Sequence, residues 1–188
     1  MAKYWELFKD PEDPSKGRFY NGIAGWSVTE KNSIRLKAYG LDEYYNDFIP
    51  GSDAALSGSM VAAYQKGKPW FGYYWGPTWI LGKLDMTPLE EPPYDPEVWN
   101  ENYACTFPPV DVNILVHKDL PETAPEVVEL LKNYETTLAM NNKFLAFMKD
   151  FEGDDAQQAA AEWFLKNYEA VWTGWVPAEV AEKVKAAL

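Results

Sequence analysis

The stretch PWFGYYW (69–75) constrains the fold most: a short apolar run fenced by Lys-Gly-Lys-Pro on one side and Gly-Pro on the other. It is too brief for a buried helix, and its rings suit a pleated surface, so the run predicts a buried strand. Pro77 then occupies a position that opens helices, and TWILGKL (78–84) is predicted to be that helix. VNILVHK (112–118) has a second strand-like composition. Two buried strands set among helices predict an α/β fold, richer in helix than in strand.

The remaining elements follow from caps and breakers. Residues 3–9 predict a short helix, stopped by DPEDPSKG (10–17). GRFYNGIAGWSVTE (17–30), with three glycines, predicts a loop. A helix over 32–41 is expected next, with Ile34, Leu36 and Ala38 buried and Gly40 as its C-cap. Ser52 or Asp53 caps a helix carrying Ala55, Leu56, Met60, Val61 and Tyr64 on one face, with Gly67 as the stop. Residues 86–110, rich in Pro and acids, predict an irregular crossover, and further helices are predicted over 122–133, 135–150, 155–172 and 177–188. This organisation divides the chain into a lobe over 1–95, holding two tryptophan-bearing turns, and a part over 96–188 with the crossover, a strand and the C-terminal helices of a second lobe.

Charge and rare residues exclude much of the chemistry. The 29 acids and 17 bases give a net charge of −12, which repels nucleic acid and anionic lipid. Cys105 is the only cysteine and His117 the only histidine, so a disulfide within the chain, a Cys-based metal site and a Ser-His triad are all disfavoured. His117 suits a strand or surface position. Neither a phosphate-cradling glycine motif nor a G-x-S-x-G elbow occurs. Adjacent acids such as Glu90–Glu91 and Asp154–Asp155 are expected to be solvated. No cofactor is implied, and an enzyme is the weaker class. The start, MAKYWELFKD, carries no secretory signal pattern, and no apolar run approaches the ~20 residues that span a bilayer.

Aromatic content is the unusual quantity, at 16% with nine tryptophans. Two stretches share a design in which a tryptophan sits in a flexible turn beside a helix start: AGWSVTE (24–30) and YYWGPTW (73–79). In the first, the amides of Trp26, Ser27 and Val28 are expected to face outward at the positive end of a helix, an anion site. In the second, a strand delivers Trp75 to a sheet edge. Indole faces attract a trimethylammonium group, which has no N–H to satisfy otherwise. Amides at one end and indoles at the other suit a small zwitterion. On residue type alone, plain packing of Trp26 and Trp75 satisfies the pattern equally, and tryptophans also stack on sugars. A sugar site calls for Asn, Asp or Gln beside each ring, whereas Trp75 has Tyr, Gly, Pro and Thr as neighbours.

At these same residues the sequence resembles the glycine betaine/choline-type substrate-binding proteins of ABC importers. The resemblance rests on RFYNGIAGW (18–26), KAYGLDEYYN (37–46), the run from GSDAALSG through GKPWFGYYWGPTWILGKLDMTPLEEPPYD (51–95), CTFPPVDVNILVHK (105–118) and VWTGWVPAEVAEKV (171–184). It implies a type II periplasmic-binding-protein fold that closes on its ligand like a hinge, here as one lobe plus the C-terminal return to the other. It implies Trp26 and Trp75 as walls of an aromatic box for a quaternary ammonium, glycine betaine foremost. Ser27 and Val28 become amide donors to its carboxylate, and Tyr74 and Thr78 supporting residues, while Trp79 packs. It further implies a membrane permease as partner, an extracytoplasmic location for the parent protein, and a preceding lobe-half outside this sequence. The surface left by that half leaves room for a homodimer or for exchange of elements between chains. The alternative is a protein binding a carbohydrate or another small solute.

Overall fold

The computed structural model describes residues 1–188. The chain forms two units, one from Met1–Trp75 with Met86–Pro109, the other from Gly76–Asp85 with Val110–Leu188. Two strands, β1 (Gly17–Tyr20) and β2 (Tyr45–Phe48), lie in the first unit with helices α1 (Ser27–Ala38), α2 (Asp53–Gln65) and α4 (Pro96–Glu101). The second unit is helical: α3 (Trp79–Lys83), α5 (Leu120–Thr123), α6 (Pro125–Asn133), α7 (Leu138–Asp150), α8 (Ala156–Asn167), α9 (Glu169–Trp172) and α10 (Ala178–Ala187). A 3-10 helix over Ala2–Phe8 opens the chain, where a short helix is expected.

β1 and β2 pair in parallel, Gly17 opposite Tyr45 through Tyr20 opposite Phe48. Part of the expected 17–30 loop is therefore strand. A buried charge disguises it: Arg18 donates to Asp10 Oδ1 at 2.5 Å and lays its guanidinium over the Phe48 ring at 4.0 Å. Burial alone would raise the Asp10 carboxyl. The Arg18 hydrogen bond, the Glu12 amide, the Asn46 side chain and the Arg18 charge outweigh it and lower Asp10 to about 2.

The expected strand over 69–75 is reduced to one parallel bridge, Gly72 with Tyr20, made by Tyr20 N to Phe71 O at 3.0 Å and Tyr73 N to Tyr20 O at 2.8 Å. A Cβ on residue 72 would fall 2.5 Å from the Tyr20 carbonyl, so only glycine allows this approach. Phe71 and Tyr73 pack, as expected, against the core of Phe19, Leu36 and Tyr45, together with Trp5 and Phe8.

α1 starts ahead of the predicted residue 32 and buries another face. Ile34 and Ala38 are exposed, while Thr29, Asn32, Arg35 and Leu36 are buried. The polar members of that face have partners: Asn32 Nδ2 donates to Asn21 Oδ1, and Arg35 pairs with Glu91 and donates to the Cys105 carbonyl at 3.2 Å. Polar burial of this kind is stable once hydrogen-bonded, and apolar periodicity cannot reveal it. Gly40 follows the C-cap at φ +64°, as expected. The Ser52 hydroxyl accepts from Ala55 N at the head of α2, which buries Leu56 and Met60 but leaves Ala55 and Tyr64 exposed.

In the second unit α3 lies against α7. A Cβ on Gly82 would meet the Asn142 carbonyl at 2.1 Å, and the Asn142 side chain accepts from Thr78 N at 2.8 Å. Ile80 is the fully buried residue of α3. Trp79, expected to be plain core, is half-buried instead, with the Lys83 and Lys149 ammoniums 5.6 and 5.4 Å from its ring centroid. The predicted helix over 155–172 breaks at Tyr168 into α8 and α9, and Trp172 is buried with its indole N–H on the Leu165 carbonyl at 2.7 Å. The predicted strand over 112–118 does not form. Val112 and Leu115 are 96% and 92% exposed, and every regular element of this unit is a helix, so the segment has no strand to pair with. His117 is a surface residue.

Candidate functional site

β1 ends at Tyr20, and the chain turns through Asn21-Gly22-Ile23-Ala24-Gly25 to Trp26, the residue that precedes α1. Gly25 sits at φ +89°, a backbone conformation that costs a residue with a Cβ about 1–2 kcal/mol. No side chain caps α1. Thr29 N is bonded to Trp26 O at 3.1 Å, and the amides of Ser27 and Val28 are left without a protein acceptor at the positive end of the helix. Ser27 is exposed and Val28 half-buried, so the turn faces solvent with donors to offer.

Trp75 comes to this turn from the other direction, at the end of the segment bridged to β1. The Trp26 and Trp75 rings meet with centroids 5.0 Å apart and planes at 83°. Two perpendicular indoles form a corner, and both are half-buried, so part of each ring stays accessible. Tyr74 leans on Trp75 at 4.6 Å and 31°, and Tyr73 runs nearly parallel to it at 6.1 Å. Burial, with the Asp53 charge adding to it, pushes the Tyr74 phenol up to about 12, and burial raises Tyr73 as well. The phenols therefore stay neutral at ordinary pH, and the corner is a set of neutral π faces that can host a cation with no N–H of its own.

Five of the six residues expected at a site thus lie on one unit: Trp26, Ser27, Val28, Tyr74 and Trp75. Thr78 belongs to the other unit, and its hydroxyl is used to cap α3 by accepting from Leu81 N at 3.4 Å. Two residues escape a sequence reading. Asn21, fully buried, joins β1, α1 and β2. Thr29 closes the turn by donating its hydroxyl to Ile23 O at 2.7 Å. The Asn-Gly pair directly after Phe19-Tyr20 is the signal for the first, since that dipeptide marks a turn after a strand.

This α/β chain has the fold of type II periplasmic binding proteins, and it places an accessible indole corner beside unpaired helix amides. The chain belongs to the family of substrate binding domains of ABC-type glycine betaine transport systems, which matches residues 1–167. It is 25% identical over 164 residues to the glycine betaine/carnitine transport binding protein of Listeria monocytogenes, covering 86% of this chain and 50% of that protein. It is 26% identical over 170 residues to a trimethylamine N-oxide-binding protein of Pelagibacter ubique, covering 88% of this chain and 52% of that one. The chain therefore spans about half the length of these relatives. Among solved structures, lactococcal OpuAC in a closed form with glycine betaine is similar, with a TM-score of 0.50 and 20% identity over 85% of this chain and 57% of that one. That likeness concerns the fold alone.

Proposed function

We propose that this chain carries a ligand site of the substrate-binding component of an ABC importer, and that its ligand is a small quaternary ammonium zwitterion, glycine betaine foremost. The Trp26–Trp75 corner, with ring centroids 5.0 Å apart and planes nearly perpendicular, is the observation that carries the reading. The trimethylammonium group rests against the two indoles, where a desolvated cation–π contact is worth on the order of 2 kcal/mol. The carboxylate is held by the Ser27 and Val28 amides, whose position at the head of α1 favours negative charge. Tyr74 backs Trp75 without contributing charge.

In this reading the protein binds without chemical conversion, acts outside the cytoplasm and hands its solute to a membrane permease. Membership of a transport-system family supports each of these. A homodimer is no part of the reading. Isothermal titration with glycine betaine, carnitine, proline betaine and choline tests it. Saturable heat with glycine betaine, weakened about 30-fold by Trp75→Ala, is expected; no heat with any of the four overturns it.

A further inference from the structure

We propose that Asn21 is a positioning residue for the carboxylate-binding amides at the head of α1; the inference rests on the site described above. Asn21 is 0% exposed. Its amide nitrogen Nδ2 lies 3.0 Å from the Thr29 carbonyl, 3.2 Å from Ser33 Oγ and 2.8 Å from Asp47 Oδ1. Its Oδ1 accepts from Gly22 N at 2.7 Å and from Asn32 Nδ2 at 3.0 Å. Its backbone N–H donates to Phe48 O at 2.8 Å, extending the β1–β2 ladder by one rung. The side-chain orientation is fixed by its surroundings. Reversed, the amide would set its nitrogen against two donors, Gly22 N and Asn32 Nδ2, and its oxygen against the Thr29 carbonyl and the Asp47 carboxylate.

One side chain thus ties three parts together. Gly22 N is the start of the turn, Thr29 and Asn32 lie in the first two turns of α1, and Asp47 is on β2. Ser33 closes the ring by donating its hydroxyl to Asp47 Oδ2 at 2.5 Å. Between the tied points lie Trp26, Ser27 and Val28. The indole ring has a second anchor in its contact with Trp75, whereas the Ser27 and Val28 N–H groups have no acceptor of their own to hold them in direction. The two halves of the ligand also differ in tolerance. A hydrogen bond weakens steeply when its length or angle is disturbed, whereas a cation over a ring face is held by a broad attraction. Loosening Asn21 is therefore felt by the carboxylate much more than by the ammonium.

The test is Asn21→Asp, which keeps the shape, removes both side-chain donors and sets a carboxylate against Asp47. Full-chain protein is titrated with glycine betaine and with tetramethylammonium, which has the cation but no carboxylate. The expected result is about a tenfold or greater loss of glycine betaine affinity, the size of one charge-assisted hydrogen bond. Tetramethylammonium affinity changes less than about threefold, as fits a ring corner that keeps its second anchor. The double variant Asn21→Asp/Asp47→Asn restores a donor–acceptor pair in reverse and should recover most of the selectivity for the carboxylate ligand. Equal losses for both ligands, or no recovery in the double variant, would show a general structural role and overturn the proposal. Unchanged glycine betaine affinity in Asn21→Asp would overturn it too, with the site itself intact. If the unaltered chain binds neither ligand, the reading of the site falls, and this inference with it.

Discussion

The indoles of Trp26 and Trp75 stand edge to face at 5.0 Å, one leading into α1 and the other ending the segment bridged to β1. A purely structural pair would lose packing when either ring is removed, and nothing more. A working pair loses ligand. Trp26→Ala and Trp75→Ala are each expected to weaken glycine betaine binding by about 30-fold, the equivalent of one desolvated cation–π contact of about 2 kcal/mol. Tyr74→Phe, which keeps the ring, should change affinity less than about threefold, as fits a residue that backs Trp75 with its face and not its hydroxyl. Titration calorimetry measures all three.

Much of this is legible in the sequence, and the rest is hidden for a common reason. The Ser52 cap, the positive φ of Gly40 and Gly67 and the buried Leu56 and Met60 follow from local chemistry that needs no partner. Trp26 and Trp75 stood out because glycine beside an indole is a local signal too. β1, the buried face of α1 and Asn21 were invisible because each buries polar groups whose partners lie elsewhere. Arg18 needs Asp10, Arg35 needs Glu91, and Asn21 needs Asp47. The converse holds at 112–118, where strand-forming residues have no strand beside them.

The Asp10–Arg18 pair predicts a pH dependence. The folded-state carboxyl, at about 2, lies below its ordinary value of 3.8, so the unfolded chain takes up the proton first on acidification. The stability this pair supplies is complete above about pH 5 and is lost progressively as pH falls through 3.8 towards 2. Asp10→Asn should melt well below the unaltered chain at neutral pH, and the gap should close as the pH drops. A constant gap across thermal melts from neutral to acid would contradict the assignment.

Close approach of α3 to α7 predicts that Gly82→Ala destabilises the second unit. The added methyl would meet backbone at 2.1 Å, an obstacle that cannot rotate away. A loss of about 1–3 kcal/mol is expected in urea unfolding, the usual penalty for overpacking. Hydrogen exchange should quicken in α3 and α7, with the Trp26 turn unchanged.

Arg35 fastens residues 86–109 to α1, through Glu91, the Cys105 carbonyl and the face of Phe107, 4.5 Å from its guanidinium carbon. Arg35→Leu leaves a half-buried Glu91 without its cation and the Cys105 carbonyl without its donor, and is expected to cost about 1–3 kcal/mol. Limited proteolysis should then cut first within 86–109, and the unaltered chain should resist there.

The most direct measurement is a calorimetric titration of glycine betaine into the unaltered chain and into Trp26→Ala/Trp75→Ala, with circular dichroism to establish that both are folded. Saturable binding by the first and none by the folded double variant is the predicted result. Equal binding by both would show that the indole corner is packing and that the ligand, if any, binds elsewhere.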